Sequence, residues 1–255
     1  PPRSTLFPYT TLFRSPLVSL AMRIPPLPQL LLLALLLFSL PSFAEATEAV
    51  EYPEDIATRL QARYDAMHSL SFSFFQDIQG EMSGRPRQGS GRALFVKKDG
   101  KARMRWDYST PERQVIIGDG ETLSMYFAHL NQLIQSPAAA LENDLTYAVF
   151  TGRGLIKKDF YIRPADEDEQ ATSDGDYKVI KIIPKTQQSQ MQDIHLYVTA
   201  DSLIRRLKLR DHFGTVTVLN LTDIEVDGVE TGKSAAEVDA LFTFTPPPGT
   251  EIIRQ

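Results

Sequence analysis

The chain is predicted to be mainly β: one large antiparallel meander with a few helices laid over it. Three observations predict this. After His68, apolar and polar residues alternate with a period of two through a long series of short segments. Turn pairs such as Asp99-Gly100 and Asp119-Gly120 separate those segments. Helical spacing is confined to two stretches, 53–68 and 137–151. A sheet of this size must curl, close or be covered to protect its apolar face, and the two helices are the natural cover.

The first helix, 53–68, opens on Pro53 followed by Glu54 and Asp55, where a missing N–H and early acids suit a helix N-terminus. Ile56, Leu60, Tyr64 and Met67 then recur at spacings of four, four and three, which makes one apolar stripe. Leu70, Phe72 and Phe74 alternate with Ser71 and Ser73 in the first strand. Further strands are expected at 92–98, 102–108, 114–118, 122–128 and 132–135, with His129-Leu130-Asn131 as another turn. The segment 102–108 is the sharpest. Ala102, Met104, Trp106 and Tyr108 fall on one face and Arg103, Arg105 and Asp107 on the other, so one side meets water and the other apolar contact. At Pro137 the period changes: Leu141, Leu145 and Val149 share one stripe, and Gly152 or Gly154 can stop the helix. The acidic stretch 165–176 reads as a solvated hairpin loop, because its carboxylates are consecutive and lack spaced partners. Strands resume at 177–184, 192–199, 203–211, 215–226 and 240–244.

The first methionine is Met22, and residues 1–21 are expected to be a non-native, adapter- or vector-derived extension. Residues 22–44 have the layout of a secretory signal peptide: Arg23, an apolar run of 11 residues at 30–40, then Ser42-Phe43-Ala44. That run is shorter than the ~20 residues a spanning helix needs. Residues 45–255 are then expected to form a single domain, released in soluble form. Removing 1–44 deletes three arginines and no acid, leaving 24 Lys+Arg against 32 Asp+Glu, a net charge near −8. This argues against a nucleic-acid partner, which needs a basic footprint. Cysteine is absent, so disulfides, thiolate metal sites, thiol catalysis and lipid modification of an N-terminal cysteine are all excluded.

Catalytic chemistry has no foothold in the sequence. His68, His129 and His212 fall at a helix end or in turns, and His195 lies on a strand between Ile194 and Leu196, facing away from them. No His-x-His or His-Glu-x-x-His spacing is present, so no metal or other cofactor is expected. Neither a Gly-x-Ser-x-Gly elbow nor a phosphate-cradling glycine loop occurs, and Gly152-Arg153-Gly154 is too short to be one. The positive signal is the apolar face. Its periodicity fits a solid core and a cavity equally well, and an ordinary core is the simpler reading.

Six segments in order carry a resemblance. They are Leu70-Ser71-Phe72-Ser73-Phe74-Phe75-Gln76; Arg105-Trp106-Asp107-Tyr108 with Pro111; and Gly118-Asp119-Gly120 with Met125-Tyr126-Phe127 and Leu130-Asn131-Gln132. Pro184-Lys185, Asp211 before Phe213-Gly214, and Phe242-Thr243-Phe244-Thr245-Pro246-Pro247-Pro248-Gly249 complete the set. In this order they resemble the LolA family of outer-membrane lipoprotein carriers. The resemblance implies an unclosed barrel with an apolar lining and a helical lid. It implies a periplasmic chaperone, not an enzyme, that takes acylated lipoproteins from an inner-membrane ABC transporter to the outer-membrane receptor LolB or its equivalent, most simply as a monomer. On that reading Phe72, Phe74, Met104, Trp106, Met125 and Phe127 line the cavity, and Leu141, Leu145 and Val149 face it from the lid. The family's lid-latching arginine maps nearest to Lys98, which lacks the guanidinium fork. The alternative is a periplasmic lipid- or lipoprotein-sensing regulator of the same fold; such proteins add a second C-terminal domain, for which a chain ending at Gln255 is expected to have no room.

Overall fold

The computed structural model describes residues 51–80, 86–98, 100–141, 145–151, 156–171, 177–186 and 190–255. The expected extension 1–21 and signal peptide 22–44 lie outside the described residues, as do Gly152, Gly154 and the side chains of Lys98 and Leu145.

Twelve strands form one sheet: β1 (Ser69–Gln79), β2 (Arg87–Lys98), β3 (Lys101–Thr110), β4 (Gln114–Gly118), β5 (Thr122–Phe127), β6 (Gln132–Pro137), β7 (Phe160–Pro164), β8 (Lys178–Pro184), β9 (Met191–Val198), β10 (Ile204–Asp211), β11 (Val216–Val226) and β12 (Glu251–Arg254). Their spatial order is β12-β6-β5-β4-β3-β2-β1-β11-β10-β9-β8-β7, and β12 and β7 remain edges, so the sheet does not close. The long strands β1, β2 and β11 lie at its centre. A register shift opens between Ser90 and Gly91 against β3, where a Cβ on Gly91 would sit 2.0 Å from the Asp107 carbonyl oxygen. Only glycine permits that approach, and a bulge of this kind adds local twist and bend to the sheet.

The helices are α1 (Pro53–Ala66), α2 (Leu145–Thr151), α3 (Ile156–Asp159), α4 (Glu167–Ala171) and α5 (Ala235–Ala240). In α1 the expected stripe is buried through Ile56, Ala57, Leu60 and Tyr64. The expected helix 137–151 is not one element. Pro137 still pairs with Thr122, and the Ala138 amide donates to the Glu121 carbonyl, so the chain stays on the sheet for longer. A single 3-10 turn, Ala138–Leu141, follows before α2.

Two further expectations need correction. The meander is antiparallel except at β12, which pairs in parallel with β6. The segment 240–244 is not a strand. Ser234 and Glu237 form a capping box at the start of α5, and Arg105 then takes the Leu241 carbonyl at 2.8 Å. Phe242 is buried all the same, with Val229 and Val238, against Val96, Val115, Ile117, Tyr126 and Leu133 on the outer face. The inner face carries the larger cluster, which runs from β3 through β1 and β11 to β7.

Candidate functional site

The inner face divides in two. Its β1–β3 half is aromatic. Phe72 and Phe74 on β1, Phe95 on β2 and Trp106 on β3 meet Phe150, which descends from α2. The Phe150 ring lies 5.0 Å from Phe72, 5.3 Å from Phe95 and 6.3 Å from Trp106. Phe74 stands edge-on to Trp106 at 4.9 Å and to Tyr108 at 4.8 Å. These are the tilted and edge contacts that aromatic quadrupoles favour. The other half, over β7–β11, is mainly aliphatic, with Ile162, Ile180, Ile182, Ile194, Leu196, Ile204 and Leu207 beside the ring of Phe160.

Most of the residues singled out in the sequence come together here. Phe72, Phe74, Met104, Trp106, Leu141 and Val149 are buried in this one cluster, and half-buried Met125 packs against it. Phe127 departs from expectation: it is half-buried with its ring 6.3 Å from exposed His129, outside the cluster. Sequence reasoning missed Phe95 and Phe150. Phe95 was within reach, since it alternates with Ala93 on β2 exactly as Trp106 does with Met104 on β3. Phe150 was not, because it stands one residue past the stripe drawn through Leu141, Leu145 and Val149.

Among the described residues the side chains of this cluster pack against one another. A small cleft lies beside the C-terminal end of α1, lined by Met67, His68, Ser69, Leu70, Phe95, Lys97 and Phe150.

Polar bonds hold α1 over the sheet. The Lys97 ammonium donates to the Tyr64 carbonyl at the end of the helix. Burial pulls the Lys97 pKa down, against the charges of Asp65 and Asp227, which pull it up. Among the described side chains Lys97, one position before the expected Lys98, thus reaches the helix. The Tyr64 hydroxyl accepts the Ile204 amide at 3.2 Å, and burial pushes its pKa up. Arg59 donates to Ser202 Oγ at 3.0 Å, and Gln61 Oε1 accepts the Ile156 amide at 2.9 Å, tying α1 to α3.

The outer face over β8–β10 corrects one more expectation. The start of the acidic stretch is not a solvated loop. It forms α4, which lies against the sheet, with Glu169 buried and bonded to Lys208 and to the Tyr197 hydroxyl. Asp166 binds Lys181 at 2.8 Å. Burial pushes the Glu169 carboxyl up, but those two hydrogen bonds outweigh it and leave the pKa below the usual range. The Lys181 hydrogen bond lowers that of Asp166. His195 does face away from Ile194 and Leu196, yet it is buried, 3.3 Å from Asp166 and 3.7 Å from Asp193, with neither ring nitrogen hydrogen-bonded. Burial holds its pKa below the ordinary value, against the three neighbouring carboxylates. Among the described residues no group of three or more His, Asp or Glu is placed to hold a metal ion.

Comparison with known proteins gives a consistent picture. The profile of the family described as "Outer membrane lipoprotein carrier protein LolA" matches residues 65–245. An outer-membrane lipoprotein carrier protein of Methylococcus capsulatus is 29% identical over 229 residues, covering 89% of this chain and 98% of the relative. One from Nitrosomonas europaea is 29% identical over 224 residues, covering 88% and 96%. A solved LolA superfamily protein from Nitrosomonas europaea aligns with a TM-score of 0.38 at 13% identity, covering 76% of this chain and 98% of that one.

Proposed function

Since the chain belongs to the outer membrane lipoprotein carrier protein LolA family, we propose that it is a periplasmic carrier that binds the acyl chains of lipoproteins in the aromatic half of its inner face. The observation that carries this reading is the ring cluster of Phe72, Phe74, Phe95, Trp106 and Phe150 beneath short helices. Each buried methylene is worth ~0.8 kcal/mol, so an acyl chain of ~15 carbons needs on the order of 12 kcal/mol of shelter from water. Apolar contact supplies that without directional chemistry, and the reading assigns no catalytic residue and no cofactor.

On this account the packed arrangement is the resting state. Cargo enters where Phe150 and Phe95 border the cleft beside Lys97, displacing α2 and freeing only the last turn of α1 from Lys97. The lining is Phe72, Phe74, Met104, Trp106 and Met125 from the sheet, with Phe127 at the rim, and Leu141, Leu145 and Val149 from the lid. Lys97 takes the latching role. Its ammonium is a point charge with rotatable donors, so it releases a helix carbonyl more readily than a guanidinium fork would. Delivery runs from an inner-membrane transporter to an outer-membrane receptor, after a leader at 22–44 has directed export.

Mass spectrometry of the protein purified from the periplasm of a Gram-negative host tests this. Expected are a chain beginning at Glu45 and co-purifying acylated peptides in a one-to-one complex. A chain that retains Met22 on the membrane, or one that carries no acylated species when lipoproteins are overproduced, contradicts the reading.

A further inference from the structure

The open rim of the sheet carries a second surface, and we propose that it docks on an anionic phospholipid bilayer. Tyr161 on edge strand β7 is 50% exposed. The Arg163 guanidinium lies 5.6 Å and the Lys185 ammonium 5.3 Å from its ring centroid. Lys185 also donates from Nζ to the Lys157 carbonyl and from its backbone amide to the Asp159 carbonyl, both at 2.9 Å. Those two bonds hold α3, with Lys157 and Lys158, beside the ring. All four cations are exposed, and none lies within ion-pair distance of a carboxylate among the described residues.

Three features point to a lipid surface. The first is sign: in a chain of net charge −5, two cations stand against one exposed ring and two more lie on the adjoining α3, with Asp159 as the acid among them, so the local balance is positive. In the next connection, Asp166 is taken up by Lys181 and Glu169 by Lys208, while Glu167 and Asp168 are exposed beyond Pro164 and bound the patch on that side. The second is chemistry. A tyrosine flanked by lysine and arginine places an apolar ring and its cations together at headgroup depth. The third is position: α1 packs against β7 and α3, so the patch borders the helix that covers the inner face. Docking by this rim would set the edge of the unclosed sheet against the surface where acyl chains emerge. Choosing a bilayer over an acidic protein rests on the carrier reading.

Sedimentation of the purified chain with vesicles tests the proposal. Binding is expected to phosphatidylcholine vesicles containing phosphatidylglycerol, not to phosphatidylcholine alone, and to disappear at high salt. Each of Lys157→Gln, Lys158→Gln, Arg163→Gln and Lys185→Gln should weaken it about fivefold, and Tyr161→Ala should weaken it further, whereas Lys233→Gln, away from the patch, should not. Thermal melts and uptake of a fluorescent fatty acid are read on the same variants. Unchanged uptake with lost vesicle binding separates docking from acyl binding. Equal binding of parent and variants, or no preference for phosphatidylglycerol, overturns the proposal even if uptake persists. Retention only on vesicles bearing a reconstituted transporter assigns the patch to a protein partner and overturns it too. Failed fatty-acid uptake by the parent, with vesicle binding intact, sinks the acyl-carrier reading and leaves the docking surface standing.

Discussion

On the inner face, β7–β11 contribute mainly aliphatic side chains under the 14-residue helix α1, whereas β1–β3 contribute rings under the seven-residue helix α2. Burial does not separate the halves: Phe72, Phe95 and Phe150 are no more than 2% exposed, as are Ile180 and Leu196, while Trp106 and Ile162 stand at 7% and 6%. The aliphatic half has the longer cover, fixed by bonds from α1 to Ser202, Ile204 and Ile156. A half closed by a short helix costs less to open. On the proposed carrier reading the same sheet divides its labour, with one half as structural core and the other as the surface that cargo reaches.

Substitutions can break this comparison. Among substitutions that only remove atoms, the largest effect is expected in the aliphatic half: Ile182→Ala leaves a cavity under well-fixed neighbours and should cost about 3 kcal/mol in a denaturant titration, with fatty-acid affinity of the folded protein unchanged. Lost affinity at equal stability would move the site to that half. Next comes the latch. Lys97→Met keeps the buried stem but removes its bond to the Tyr64 carbonyl, for an expected loss of about 1 kcal/mol and faster fatty-acid uptake by stopped flow. Unchanged uptake would remove Lys97 from the gating account.

The smallest effect concerns pH and the outer face. Burial sets the folded-state pKa of His195 below its ordinary 6.5, so the unfolded chain takes up that proton first. Its contribution is complete above pH 6.5 and is lost as pH falls from there toward the folded-state value. Asp166 and Glu169, held below their ordinary values of 3.8 and 4.5, keep theirs until the medium is more acid than that. Melts across pH should show two separate declines, and His195→Gln should erase only the upper one. A His195→Gln profile that matches the parent would mean that the imidazole is not held neutral.

How far the sequence revealed this depends on whether local pattern or long-range contact decides each element. The two faces of strand β3 were legible, because Met104 and Trp106 alternate with Arg103 and Arg105, although the strand runs Lys101–Thr110, beyond the expected 102–108. The stripe of α1 was equally plain. Segment 240–244 alternates too, but Arg103 and Arg105 on another strand capture it: Arg105 binds its carbonyls and Arg103 lies 4.6 Å above the Phe242 ring. Strand β7 is five residues long and leans on β8 alone, too short for a period to register. Glu169 looked solvated because its partners Tyr197 and Lys208 are remote in the chain. For the site, the strand-borne lining followed from alternation, while Phe150 and Lys97 needed the packing of α2 and α1 to be seen.

The central claim is that the aromatic half can open and the aliphatic half cannot, and matched substitutions to glutamate test it most directly. Leu196→Glu buries an unpaired carboxylate in the fixed half and should cost at least about 4 kcal/mol. Met104→Glu places the same group in the half that opens, where water can reach it, and should cost about 1–2 kcal/mol while abolishing fatty-acid and lipoprotein binding. The measurement is a denaturant titration of both variants, paired with a binding assay on Met104→Glu. Equal losses of stability, or full binding by Met104→Glu, would contradict the account.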